Sequence, residues 1–252
     1  MTSPDLAQTR AQVHHGSFEA LRRRPVVLGL VGLLTLVVAV VAGVALGTVG
    51  IPLGETVAIL AHRMGLDVEQ TWAGSSETIV VTLRLPRVLT ALVVGLGLSV
   101  AGVTFQGLLR NPLADPYIIG TASGAALGAA IGVLLPVQLA WLGLGLTTML
   151  AFVGALMAIS IVYRIAGGGG RSTMTSILLT GYAVGSMLAA GLSLAMYLSG
   201  AQLRQIFYYL LGSLNGADWQ SLALGLPVVL VGTVFILARA RSLNGLLLGE
   251  DT

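Results

Sequence analysis

The chain has 252 residues, of which 56% are hydrophobic and 9% charged, with a net charge of +3. A soluble domain carries about 25% charged residues, so the composition excludes an ordinary soluble fold and places the chain in a membrane, where apolar surface is stable. There is no cysteine and all 13 basic residues are arginine, which excludes thiolate chemistry, a Schiff base and the lysine of a G-x-x-x-x-G-K-[ST] ATP-binding loop.

Residues 1–25 are polar and end in Arg22-Arg23-Arg24. They lack the short apolar core and small-residue cleavage site of a signal peptide and read as a cytoplasmic tail. Residues 26–46 form an uncharged run, long enough at about 1.5 Å per residue to cross the hydrocarbon core. Further uncharged runs cover 88–109, 117–135, 139–161, 176–198 and 219–238. The predicted architecture is therefore an all-α, polytopic helical bundle of about six spans.

The segment 48–87 is polar and is predicted to lie outside. Ile51-Pro52-Leu53-Gly54-Glu55-Thr56 opens a short helix there, with Glu55 near its positive end. Along the third run Gly120, Gly124, Gly128 and Gly132 recur every four residues, a stripe that favours close helix packing over lining a substrate path. Residues 201–211 read as a short interfacial helix, broken by 212–216, and Asp218 is placed to cap the sixth span. Pro227 is expected to kink that span.

The arginines orient the bundle. With the N terminus inside, Arg10, Arg22, Arg23, Arg24, Arg110, Arg164, Arg171, Arg239 and Arg241 are cytoplasmic, and only Arg63, Arg84, Arg87 and Arg204 are outside. This obeys the positive-inside rule. Topology thus accounts for the pI of about 9.7, and no nucleic-acid partner is called for.

Candidate catalytic groups are scarce. His14, His15 and His62 all lie outside the runs, so Ser123 has no intramembrane base, and no metal cluster is expected. The runs hold no Asp, Glu, His or Arg, which argues against an intramembrane enzyme and a proton-coupled carrier. A sodium-coupled carrier or a channel stays open on these grounds.

Two segments carry a resemblance. Arg84-Leu85-Pro86-Arg87 opens the second run, and Phe105-Gln106-Gly107-Leu108-Leu109-Arg110-Asn111-Pro112-Leu113-Ala114-Asp115-Pro116 closes it. With Ile119-Gly120-Thr121-Ala122-Ser123-Gly124-Ala125, Leu178-Leu179-Thr180-Gly181, Gly212-Ser213-Leu214, Asp218-Trp219 and Leu246-Leu247-Leu248-Gly249-Glu250, this resembles the FecCD-type permeases of iron-siderophore, haem and vitamin B12 importers.

The resemblance implies a type II importer permease in the bacterial inner membrane. It would be paired as a homodimer or with a second permease, powered by two cytoplasmic ATPases and supplied by an extracytoplasmic binding protein. The chain itself would be no enzyme and hold no cofactor. It implies docking of binding-protein carboxylates on Arg84 and Arg87, and a cytoplasmic gate at Asn111, Leu113, Thr173 and Thr175. It also implies a pathway wall carrying Tyr182, Ser186, Met187 and Tyr197, and ATPase coupling through Leu246, Leu247, Leu248, Gly249 and Glu250 within residues 239–252. Family members have about ten spans, so the six here read as an N-terminal portion, a truncated product or a split subunit. The alternatives are a secondary carrier or channel needing no ATPase, or a non-transporting fragment.

Overall fold

The computed structural model describes residues 26–137, 140–141, 144–167 and 174–247. The expectations for the tail 1–25, for Thr173 and for Leu248, Gly249 and Glu250 lie outside the described residues. The fold is helical throughout, apart from a two-residue antiparallel ladder that pairs Ala140 with Gly145 and Trp141 with Leu144.

Among the described residues five helices are long and apolar enough to cross a membrane: α1 (Val26–Ala45), α3 (Gly74–Leu109), α5 (Leu146–Gly167), α6 (Met174–Leu198) and α8 (Trp219–Ala238). Between and beyond them lie α2 (Leu53–Arg63), α4 (Thr121–Leu134), α7 (Leu203–Leu211) and α9 (Ala240–Leu247). Large apolar side chains such as Leu28, Leu34, Val103 and Val231 stand exposed along the long helices. In water such a surface would aggregate; facing lipid, it is the ordinary state of a multi-pass membrane protein.

Three helices depart from the apolar runs, each for a local reason. The second was expected to begin at Val88 but starts at Gly74 and includes a π-helical stretch, Ile79–Arg84. Arg84 and Arg87 therefore stand inside the helix and do not open it. Pro86 is tolerated here although it has no N–H to donate, immediately after the altered hydrogen-bond register of the π stretch. The third run yields only the 14-residue α4, about 21 Å long and shorter than a hydrocarbon core. Gly120 breaks it by taking a left-handed conformation (φ 77°) between the 3-10 turn Pro116–Ile119 and α4. The fourth run was expected over 139–161, but residues 140–141 and 144–145 take up the ladder and α5 continues past Arg164, whose charge suits a helix C terminus.

The chain divides into two compact units, one ending at Val88 and one beginning at Leu89. In the first, Val44, Ile51, Ile59, Trp72 and Val80 form a buried cluster. This joins the end of α1 to α2 and to the start of α3. Glu77 locks its rim. Its Oε1 accepts from Arg63 at 2.8 Å and its Oε2 from the Trp72 indole N–H at 3.3 Å, while His62 meets the Trp72 ring edge-on.

In the second unit α4 is the centre, packed on α5 and α6. The glycine stripe makes this possible. A Cβ on Gly124 would overlap the Gly154 carbonyl and sit 2.7 Å from the Ala158 Cβ, and one on Gly132 would sit 2.6 Å from the Thr147 Cα. Gly128 faces the Leu150 carbonyl just as closely. Gly120, in the joint before α4, meets the Gly181 and Gly185 backbone of α6. The stripe is a packing surface, as its spacing suggested. Ile206 of α7 is buried against Ala130 and Val133 of α4 and Leu192, Ala195 and Met196 of α6, so the predicted interfacial helix is pinned on one side.

Asp218 caps α8, with Oδ1 accepting from the Ser221 N–H at 2.8 Å. The helix then runs without a break through Pro227. Hydrogen bonds from Ser221 hold the Asp218 carboxyl below its ordinary pKa. A depressed acid stabilises the fold above its unfolded pKa and loses that contribution as pH falls through the folded value. Asp218→Ala is expected to cost about 1 kcal/mol at neutral pH and to raise amide exchange over residues 219–222. The wild type should acquire the same faster exchange only below about pH 4. Equal exchange in both at pH 7 would show that the cap contributes nothing.

Candidate functional site

The cluster around Trp72 sets the two motif arginines apart. Arg84 is 7% exposed. Its Nη1 donates to the carbonyls of Val44 (3.1 Å) and Ala45 (2.7 Å), and its Nη2 donates to the carbonyl of Val49. Its donors are turned inward, onto carbonyls of its own chain. Arg87, three residues on, is partly exposed.

The turn after α3 is held by several local hydrogen bonds. The Asn111 Oδ1 accepts from the Leu113 N–H at 2.9 Å, and the Gln106 Nε2 donates to the Pro112 carbonyl at 3.1 Å. The Ala114 N–H returns to the Asn111 carbonyl at 3.0 Å. Asn111 N–H to the Gln106 carbonyl and Arg110 N–H to the Gly107 carbonyl complete a Schellman-type helix end. Its left-handed position is filled by Arg110 (φ 48°) where glycine is usual. Leu113 is 87% exposed while Ala114 beneath it is buried. The sequence marked Asn111 and Leu113; the left-handed Arg110 was not foreseen, because an arginine carries no sign of positive φ.

On α6, one side is packed through Gly181 and Val184. At roughly 100° per residue, Thr175, Tyr182, Ser186 and Tyr197 fall within about 60° of one another on the other side. All four are exposed, Tyr182 at 76% and Tyr197 at 85%. Met187, also exposed, lies roughly 80° further round, at the edge of that face. Thr175 thus begins the face that Tyr182, Ser186 and Tyr197 continue. Among the described residues no three His, Cys, Asp or Glu side chains are grouped as a metal site. Leu246 and Leu247 belong to α9.

These features have counterparts in known proteins. The profile of the FecCD transport family matches residues 34–252. The cobalamin import system permease protein BtuC of Halobacterium salinarum is 40% identical over 177 residues, covering 70% of this chain and 47% of that protein. The hemin transport system permease protein HmuU of Yersinia pestis is 38% identical, covering 67% and 51%. The uncharacterised ABC transporter permease protein YvrB of Bacillus subtilis is 33% identical, covering 88% and 63%. The chain therefore spans about half to two thirds of the length of these relatives. A solved metal-chelate type ABC transporter in an inward-facing conformation superimposes with a TM-score of 0.71 at 27% identity, covering 90% of this chain and 66% of that one. With the profile matched over most of its length and the motif turn in place between α3 and α4, the chain belongs to the FecCD transport family.

Proposed function

We propose that the chain forms part of the translocation pathway of an ATP-driven, binding-protein-dependent importer of an iron-siderophore, with haem or cobalamin as the other cargoes of this chemistry. The observation that carries this is the family match over residues 34–252. The exposed face of α6 supports it. Tyrosine, serine and methionine there offer an amphipathic, polarisable wall suited to a bulky chelate.

Partners follow from the same reading. A second permease would cover the α6 face. Two cytoplasmic ATPases would dock where residues 246–250 begin the coupling segment. An extracytoplasmic binding protein would deliver cargo, its carboxylates meeting Arg87. Asn111, Leu113 and Thr175, with Thr173, would narrow the cytoplasmic end. The arginine distribution supports a cytoplasmic N terminus in the inner membrane.

The test is reconstitution of the full-length polypeptide carrying this sequence, with its ATPase and binding protein, in proteoliposomes. Uptake of ferric siderophore, haem or cobalamin is expected only with both partners and hydrolysable ATP. Uptake driven by an ion gradient without the ATPase would replace this reading with a secondary carrier.

A further inference from the structure

Arg84 has a chemistry that docking does not use. The carbonyls of Val44 and Ala45 belong to the last turn of α1, where helical carbonyls lack intrahelical partners and carry partial negative charge. Val49 lies beyond the helix, in the exposed connection 46–50. One guanidinium therefore reaches both the end of α1 and the connection that follows it, across 35 to 40 residues of sequence. Its planar, fixed fork of donors suits several carbonyls at once; a lysine ammonium would offer a single point. The site is also shaped for it. A Cβ on Gly47 would lie 2.7 Å from the Arg84 Nη2 and 2.8 Å from its Cζ, so a side chain there would require the guanidinium to shift from this position. The π stretch Ile79–Arg84 ends on this residue, and the extra residue it inserts sets the direction in which Arg84 leaves the helix.

We propose that Arg84 is a positioning residue: it caps the C terminus of α1 from another helix, clamps residues 46–49 to the cluster around Trp72, and leaves Arg87 as the docking charge of the pair. The last clause rests on the proposed importer function; the clamp does not. A docking arginine would act through charge on a partner, whereas a clamp acts through main-chain carbonyls of its own chain.

The experiment has two arms. The first is hydrogen exchange over residues 40–50 in the full-length protein in lipid nanodiscs, with no partner present. Arg84→Gln and Gly47→Ala are both expected to raise exchange at the end of α1, including the Leu46 amide that donates to the Ala42 carbonyl, by at least about tenfold. Arg87→Gln should leave it unchanged. Gly47→Ala keeps the arginine and its charge, so it remains informative if Arg84→Gln folds poorly. The second arm pairs Arg84→Glu or Arg87→Glu with acid-to-arginine exchanges in the binding protein. Rescue of uptake is expected for Arg87→Glu only. Unchanged exchange in Arg84→Gln and Gly47→Ala, or rescue of Arg84→Glu by the charge exchange, would overturn the clamp. Absence of uptake in the wild type would remove the importer reading and leave the first arm standing.

Discussion

Gly128→Ala should destabilise the chain by about 3 kcal/mol, a loss of roughly 6–12 °C in unfolding midpoint for a domain of this size. The added Cβ would overlap the Leu150 carbonyl of α5, a backbone atom that no rotamer change can move. Relief requires α4 and α5 to separate, and the neighbouring contacts at Gly124–Gly154 and Gly132–Thr147 would open with them. Between membrane helices, where lipid is as apolar as the side chains, close packing is the main attraction. Losing it over one turn is therefore costly. Gly225→Ala is the control. Its Cβ would meet nothing within 4 Å, and alanine is the better helix former by about 1 kcal/mol. Thermal unfolding in detergent checks both variants. Equal midpoints for the two would show that the stripe is not what holds these helices together.

Arg87→Glu should weaken binding-protein docking by about thirtyfold, the roughly 2 kcal/mol lower end of the cost of breaking a close charge pair, as suits a partly exposed site. The change should fall in both association rate and affinity, and shrink as salt is raised, because the interaction is partly exposed and screened within about 10 Å. Surface-immobilised permease with the purified binding protein measures both. Far-ultraviolet circular dichroism should be unaltered, since Arg87 lies beyond the π stretch within an otherwise regular helix. A docking constant within twofold of wild type would remove Arg87 from the interface.

The glycine stripe shows how far periodicity reaches. Its four-residue spacing assigned Gly124, Gly128 and Gly132 to a close helix contact. It could not reveal that Gly120 stands outside the helix, because glycine is tolerated equally in helical and left-handed backbone. The short helix after Pro52, the Asp218 cap and the extent of α8 were readable for a similar reason: each depends on residues within a few positions of one another. Arg84 is the contrary case. Its charge beside an uncharged run read as a surface position, and nothing nearby in sequence signals that carbonyls 35 to 40 residues earlier would take it inward.

Composition and the long uncharged runs determined on their own that this chain is a helical membrane protein, since barrel strands would be short and alternate apolar with polar residues, whereas a continuous apolar run of about 20 residues satisfies its backbone in a bilayer as a helix. The R-L-P-R and N-P-L-A-D-P segments pointed to the family that the profile over residues 34–252 shows. Tertiary structure alone decided which motif arginine is buried and which backbone the glycine stripe meets. Those outcomes depend on hydrogen bonds and contacts between residues far apart in sequence. The Arg84 donors find the end of α1, and the Glu77 carboxylate finds Arg63, only once the chain has folded back upon itself.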